Sequence, residues 1–107
     1  MSTVLDVFEE ATKKVCGEGA IWLRPSPQNF TDALCFEKID GRIVSYVVKN
    51  GYVKFWLEVA KLLEARGLTD SDYYKIALSE LKLLKERLTK EIEEERELAK
   101  LIEEYVR

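Results

Sequence analysis

The 107 residues contain no histidine, so imidazole acid–base relays, nucleophile–histidine pairs and histidine metal sites are all ruled out. Any chemistry would have to rest on carboxylates, two cysteines and glycine turns. Cys16 and Cys35 stand alone, without the close cysteine spacing that zinc requires. Gly17-Glu18-Gly19 lacks the third glycine of a phosphate-cradling loop and follows a helical stretch instead of a strand, so it reads as a helix stop. Asn29-Phe30-Thr31 matches a glycosylation acceptor, which in a chain read as intracellular is coincidence. No catalytic residue, cofactor or metal is expected, and the chain reads as a non-enzyme.

The two thiols are open to two readings. Buried free thiols fit a reducing cytosol, and a disulfide fits the intracellular proteins of hyperthermophiles. Composition leans toward that second group: charged residues make up 35%, mostly Glu and Lys, and amide side chains occur only at Gln28, Asn29 and Asn50. Net charge is −3, and residues 1–68 carry nine acids and nine bases, so there is no basic field for non-specific nucleic-acid binding. No run approaches the roughly 20 apolar residues of a membrane span, and the N-terminus lacks a signal-peptide pattern. The expectation is a soluble, cytoplasmic protein of thermophile character with no membrane partner.

The elements that must position any site follow from periodicity. Val4, Leu5, Phe8, Ala11 and Val15 recur at helical spacing behind a cap at Ser2 or Thr3. Ala20 to Arg24 reads as a strand stopped by Pro25-Ser26-Pro27, and the loop from Pro25 to Asp32 looks the least ordered. Leu34 to Ile39 and Arg42 to Val48 are β-rich runs separated by Asp40-Gly41, the pair demanded by a two-residue type I′ hairpin. The run Ile43 to Val48 is apolar on both faces except at Ser45, which predicts the central strand of the sheet, covered by helices. After Lys49-Asn50-Gly51, the stripe Val53, Trp56, Leu57, Ala60, Leu63 favours a helix ended at Gly67 over a fourth strand from Tyr52 to Trp56. Trp22 and Trp56 read as core aromatics.

The last third has neither Gly nor Pro from Ser71 to Val106, which predicts one helix on the order of 54 Å long, capped by Thr69 or Asp70. Its heptad seam runs Tyr74, Leu81, Leu88, Glu95, Ile102 with Ala77, Leu84, Glu91, Leu98, Tyr105, and Leu78, Ile92, Ala99 and Val106 widen it. The seam breaks at Glu91 and Glu95, inside an acidic turn that wants solvent or a cationic partner. Tyr73 and Tyr74 are expected to pack the helix onto the sheet.

Part of this pattern resembles the archaeal Holliday-junction resolvases and related metal-dependent nucleases, over roughly Phe8 to Leu63. Glu9 or Glu10 lies on the first helix, Asp32 precedes the hairpin, and Lys49 ends the third strand. In that family a Glu stands two residues before the lysine; here the position is Val47, which cannot hold Mg²⁺. The resemblance therefore implies a degenerate, inactive nuclease core.

The sequence thus predicts an α+β protein: an N-terminal helix, a three-stranded antiparallel sheet, a helix, and a long amphipathic, coiled-coil-like C-terminal helix. Residues 1–68 form the small domain and 69–107 the helix, as one structural unit. The expected function is non-enzymatic assembly, as a homodimer or within a larger protein complex, through Tyr74, Leu81, Leu84, Leu88, Ile92, Leu98, Ile102 and Tyr105. The alternative is nucleic-acid binding through Arg24, Arg42, Lys49 and Lys54 around the hairpin.

Overall fold

A computed structural model describes residues 4–106. The elements are α1 (Val4–Cys16), β1 (Ala20–Pro25), β2 (Ala33–Ile39), β3 (Arg42–Val48), α2 (Gly51–Ala65) and α3 (Asp72–Tyr105), an α+β arrangement in the predicted order. The Ser2 or Thr3 cap lies outside the described residues. The strands form an antiparallel meander, β1-β2-β3. Asp40 and Gly41 both take positive φ, 51° and 78°, as the type I′ hairpin requires.

The meander corrects one expectation. β2 is the central strand and β3 is an edge, with Ile43 58% and Val47 57% exposed. The double-sided apolar pattern of β3 therefore does not reflect burial on both faces within this chain. Cross-strand register explains it: the row Leu23, Cys35, Tyr46 faces the helices, and the row Trp22, Phe36, Ser45 faces the other way. All covering elements lie on the first side. Trp56 is in the core, but Trp22 is 56% exposed and stacks on Phe36 with ring centroids 4.9 Å apart. Trp22 is thus a surface residue, contrary to the sequence reading.

The core lies between the inner sheet face and the helices. Val7 and Ala11 of α1, Ala33 and Cys35 of β2, and Val59 and Leu63 of α2 are fully buried. Leu5, assigned to the inner stripe by periodicity, is exposed, and Val7 takes the inward position. Phe8, Phe55, Trp56 and Tyr52 form a ring cluster, with the Phe8 edge meeting Trp56 at 6.0 Å and 89°. Ion pairs Glu10–Arg66 and Lys14–Glu58 tie α1 to α2. At its start α2 comes so near the sheet that a Cβ on Gly51 would lie 2.7 Å from that of Ala33, so only glycine fits.

Two connections are tighter or differently built than the sequence suggests. The loop from Pro25 to Asp32 is knitted: Asn29 Oδ1 accepts from the Thr31 amide and hydroxyl, Ser26 N donates to Asp32 O, and Tyr52 N donates to Thr31 O. Ser26 and Thr31 are buried, so this is an ordered joint and not a loose loop. The cap of α3 is Ser71, not Thr69 or Asp70; its Oγ donates to Leu68 O at 2.8 Å and accepts from Tyr74 N at 3.3 Å.

Cys16 and Cys35 are joined in a disulfide, which resolves the alternatives in favour of the bonded form. The bond pins the end of α1 to the central strand, beside the Tyr46 hydroxyl that donates to Cys16 O at 2.8 Å. It closes a loop with a sequence separation of 19. On loop entropy such a link stabilises by about 3 kcal/mol. Urea unfolding with and without dithiothreitol should therefore differ by about that amount; coincident curves would mean the link adds nothing to stability.

Candidate protein interface

The long helix divides into two parts that the sequence pattern did not separate. α2 and α3 form an antiparallel hairpin joined by a short turn, in which Leu68 N donates to Leu63 O. With 15 residues against 34, α2 spans about 22 Å and α3 about 51 Å. Among the described residues, α3 has neighbours only as far as Ile92. Ala77 and Leu84 are buried, Tyr74, Leu81 and Leu88 half-buried, and Leu81 and Leu88 line an apolar groove with Val53 and Leu57 of α2.

Beyond Glu91, every described residue of α3 is exposed. Leu98 is 59%, Ile102 62% and Tyr105 93% accessible, and Ile92 and Leu101 are exposed as well. This distal arm, Ile92 to Tyr105, is 14 residues or about 21 Å of amphipathic helix, bordered by α2 only at its root, where Ile92 edges the groove lined by Val53 and Leu57. Leu101 was not among the expected contacts, because it falls outside both the heptad seam and the positions that widen it. Projection at 100° per residue places it with Leu98, Ile102 and Tyr105 in one apolar sector, and the only charges in that sector of the arm are Glu94 and Glu95. Glu91, at the arm's root, is engaged by Arg87 at 3.5 Å.

Tyr73 and Tyr74 join helix to helix and do not reach the sheet. The Tyr73 ring meets Phe8 of α1 edge-on at 5.7 Å, and the Tyr74 hydroxyl donates to Glu64 Oε1 of α2 at 2.7 Å. That hydrogen bond to the carboxylate, with lesser contributions from desolvation and the Glu64 charge, raises the Tyr74 pKa above 10.0.

The second open surface is the outer face of the sheet. Alternation from the Trp22, Phe36, Ser45 row places Leu34, Ile43 and Val47 on it, with Arg24 and Lys38 as its only charged residues. Sequence reasoning missed this face because Trp22 was assigned to the core. The signal was present in β3, whose outward positions are apolar. The four cations expected to contact nucleic acid do not converge: Arg24 pairs with Leu34 at one end of β2 and Arg42 with Ile39 at the other, about 17 Å away. Lys49 is exposed in the turn before α2 and Lys54 on α2 itself.

The residues behind the nuclease resemblance hold structural positions. Glu10 pairs with Arg66, Asp32 Oδ1 accepts from Asn50 N at 2.7 Å, and Val47 lies on the outer face. Among the described residues no three carboxylate or cysteine side chains converge as a metal site, and no helix is long and apolar enough to cross a membrane. Compared with family models, curated proteins and solved structures, the chain finds no match.

The raised Tyr74 pKa sets a pH dependence. Below the ordinary tyrosine range the phenol is protonated in both folded and unfolded chains and its stabilising effect is complete. As pH rises through the folded pKa that effect is lost. Absorbance titration should show a late-ionising tyrosine that disappears in Tyr74→Phe; an unchanged titration would mean the Glu64 hydrogen bond does not persist in solution.

Proposed function

We propose that this chain is a non-enzymatic assembly protein whose distal α3 arm docks on a second chain, in the first instance another copy of itself. One observation carries the reading: about 21 Å of helix, its apolar sector interrupted by Glu94 and Glu95, has no neighbour among the described residues beyond Ile92 at its root. Within the expected contact set, Tyr74, Leu81, Leu84 and Leu88 are engaged wholly or partly by α2, so the interface contracts to Ile92, Leu98, Ile102 and Tyr105, joined by Leu101. Full burial of such side chains is worth about 1.5–3 kcal/mol each. A twofold assembly counts every one of them twice, enough to exceed an association cost of about 4–15 kcal/mol.

Light scattering across a dilution series tests this. The wild-type chain should scatter as a dimer of the 12.4 kDa subunit, and Leu98→Glu/Ile102→Glu should be monomeric with unchanged helix content. A monomeric wild type, or a variant that keeps the dimer mass, would overturn the reading.

A second reading, nucleic-acid binding, draws support from the exposed Trp22, stacked on the half-buried Phe36, with Arg24 and Lys38 on the same face. It predicts that a single-stranded oligonucleotide changes tryptophan fluorescence with an affinity that falls steeply as salt rises. No response at micromolar protein would remove it.

A further inference from the structure

The arm and the outer sheet face are two open apolar surfaces of one chain, and neither covers the other: residues of both are exposed in the same molecule. We infer that the outer face of the sheet is the receptor for the distal α3 arm of a second copy, each arm lying along the partner's strands. This rests on the assembly reading above and names the surface on which the arm lands.

Three features support it. The first is charge: the outer face carries Arg24 and Lys38 and no acid, whereas the arm's apolar sector carries Glu94 and Glu95 and no base. Arg96 and Lys100 fall on the opposite side of the helix. Arms packed sector to sector would instead bury carboxylates with no cation to meet them, which is costly. Second is size. The arm is about 21 Å long and the seven residues of β2 about 23 Å, so one arm covers the sheet from end to end. Third is layer logic: an antiparallel sheet with one face under helices normally shows water a polar second face. Here that face presents Trp22, Leu34, Phe36, Ile43 and Val47, a surface that calls for another layer.

Photo-crosslinking from p-benzoylphenylalanine placed at Ile43 or at Val47 in the full chain gives the direct test. Crosslinked dimers should form, with the captured peptides mapping to residues 92–106. A charge experiment accompanies it: Arg24→Glu/Lys38→Glu should weaken the dimer about tenfold, more at low salt, and adding Glu94→Lys/Glu95→Lys should restore it. Three results would overturn the inference while leaving the assembly reading intact. In the first, a dimer sensitive to Leu98→Glu/Ile102→Glu gives no crosslink from Ile43 or Val47, while p-benzoylphenylalanine placed at Leu101 captures only the partner's arm. In the second, capture runs from sheet face to sheet face. In the third, oligodeoxythymidine changes Trp22 fluorescence in a salt-dependent way while the dimer persists, which would assign the face to nucleic acid. A monomeric wild type would overturn both.

Discussion

Everything else in this protein depends on the seating of α2 against the inner face of the sheet. Val59 and Leu63 are fully buried there, and Gly51 brings the helix start to within a Cβ clash of Ala33. α2 touches α1, β2, β3 and α3, so its position fixes theirs. α1 is held against it by two ion pairs and the ring cluster around Phe8, and is tied to the sheet by the Cys16–Cys35 bond. α3 inherits its course from the end of α2 through Leu68 and the Ser71 cap. In a chain this short, with little room for a core, one shared buried helix is an economical solution.

The same arrangement generates the two surfaces on which function is proposed to rest. α2 is less than half as long as α3, so the antiparallel hairpin runs out of partner near Ile92 and the remainder of α3 projects, within overall extents of 62 × 40 × 17 Å. With the covering helices on one side of the sheet, no described element covers the other. Both surfaces are consequences of element length and layer order, and neither needs a special local conformation. Their charges are opposite in sign, which is a property of side-chain placement and not of net composition.

The nuclease resemblance shows what spacing can and cannot establish. Glu10 and Asp32 stand where a carboxylate would be wanted in the chain order, but one neutralises Arg66 and the other accepts from the backbone at the start of α2. Each has a structural task in joining elements. Chemistry requires convergence in space, and spacing along the chain does not report it.

The sequence by itself determined the features whose causes are local. The Asp40-Gly41 hairpin followed from two residues that tolerate positive φ, the helix ends at Gly17 and Gly67 from glycine's conformational freedom, and the unbroken α3 from an absence of breakers. The α+β order followed in turn. Tertiary structure decided what depends on which surface meets which. A strand apolar on both faces reads the same whether it is central or an edge beside an uncovered face, so β3 and Trp22 were misplaced. The amphipathic stripe of α3 was legible as one surface, but only the length of α2 divides it into a packed half and an open one. Thr69 and Asp70 were the expected caps of α3, and the geometry of the turn after Leu68 selected Ser71 instead. The two cysteines became a bond because folding brings the end of α1 onto β2, a proximity that pairwise spacing in the chain does not encode.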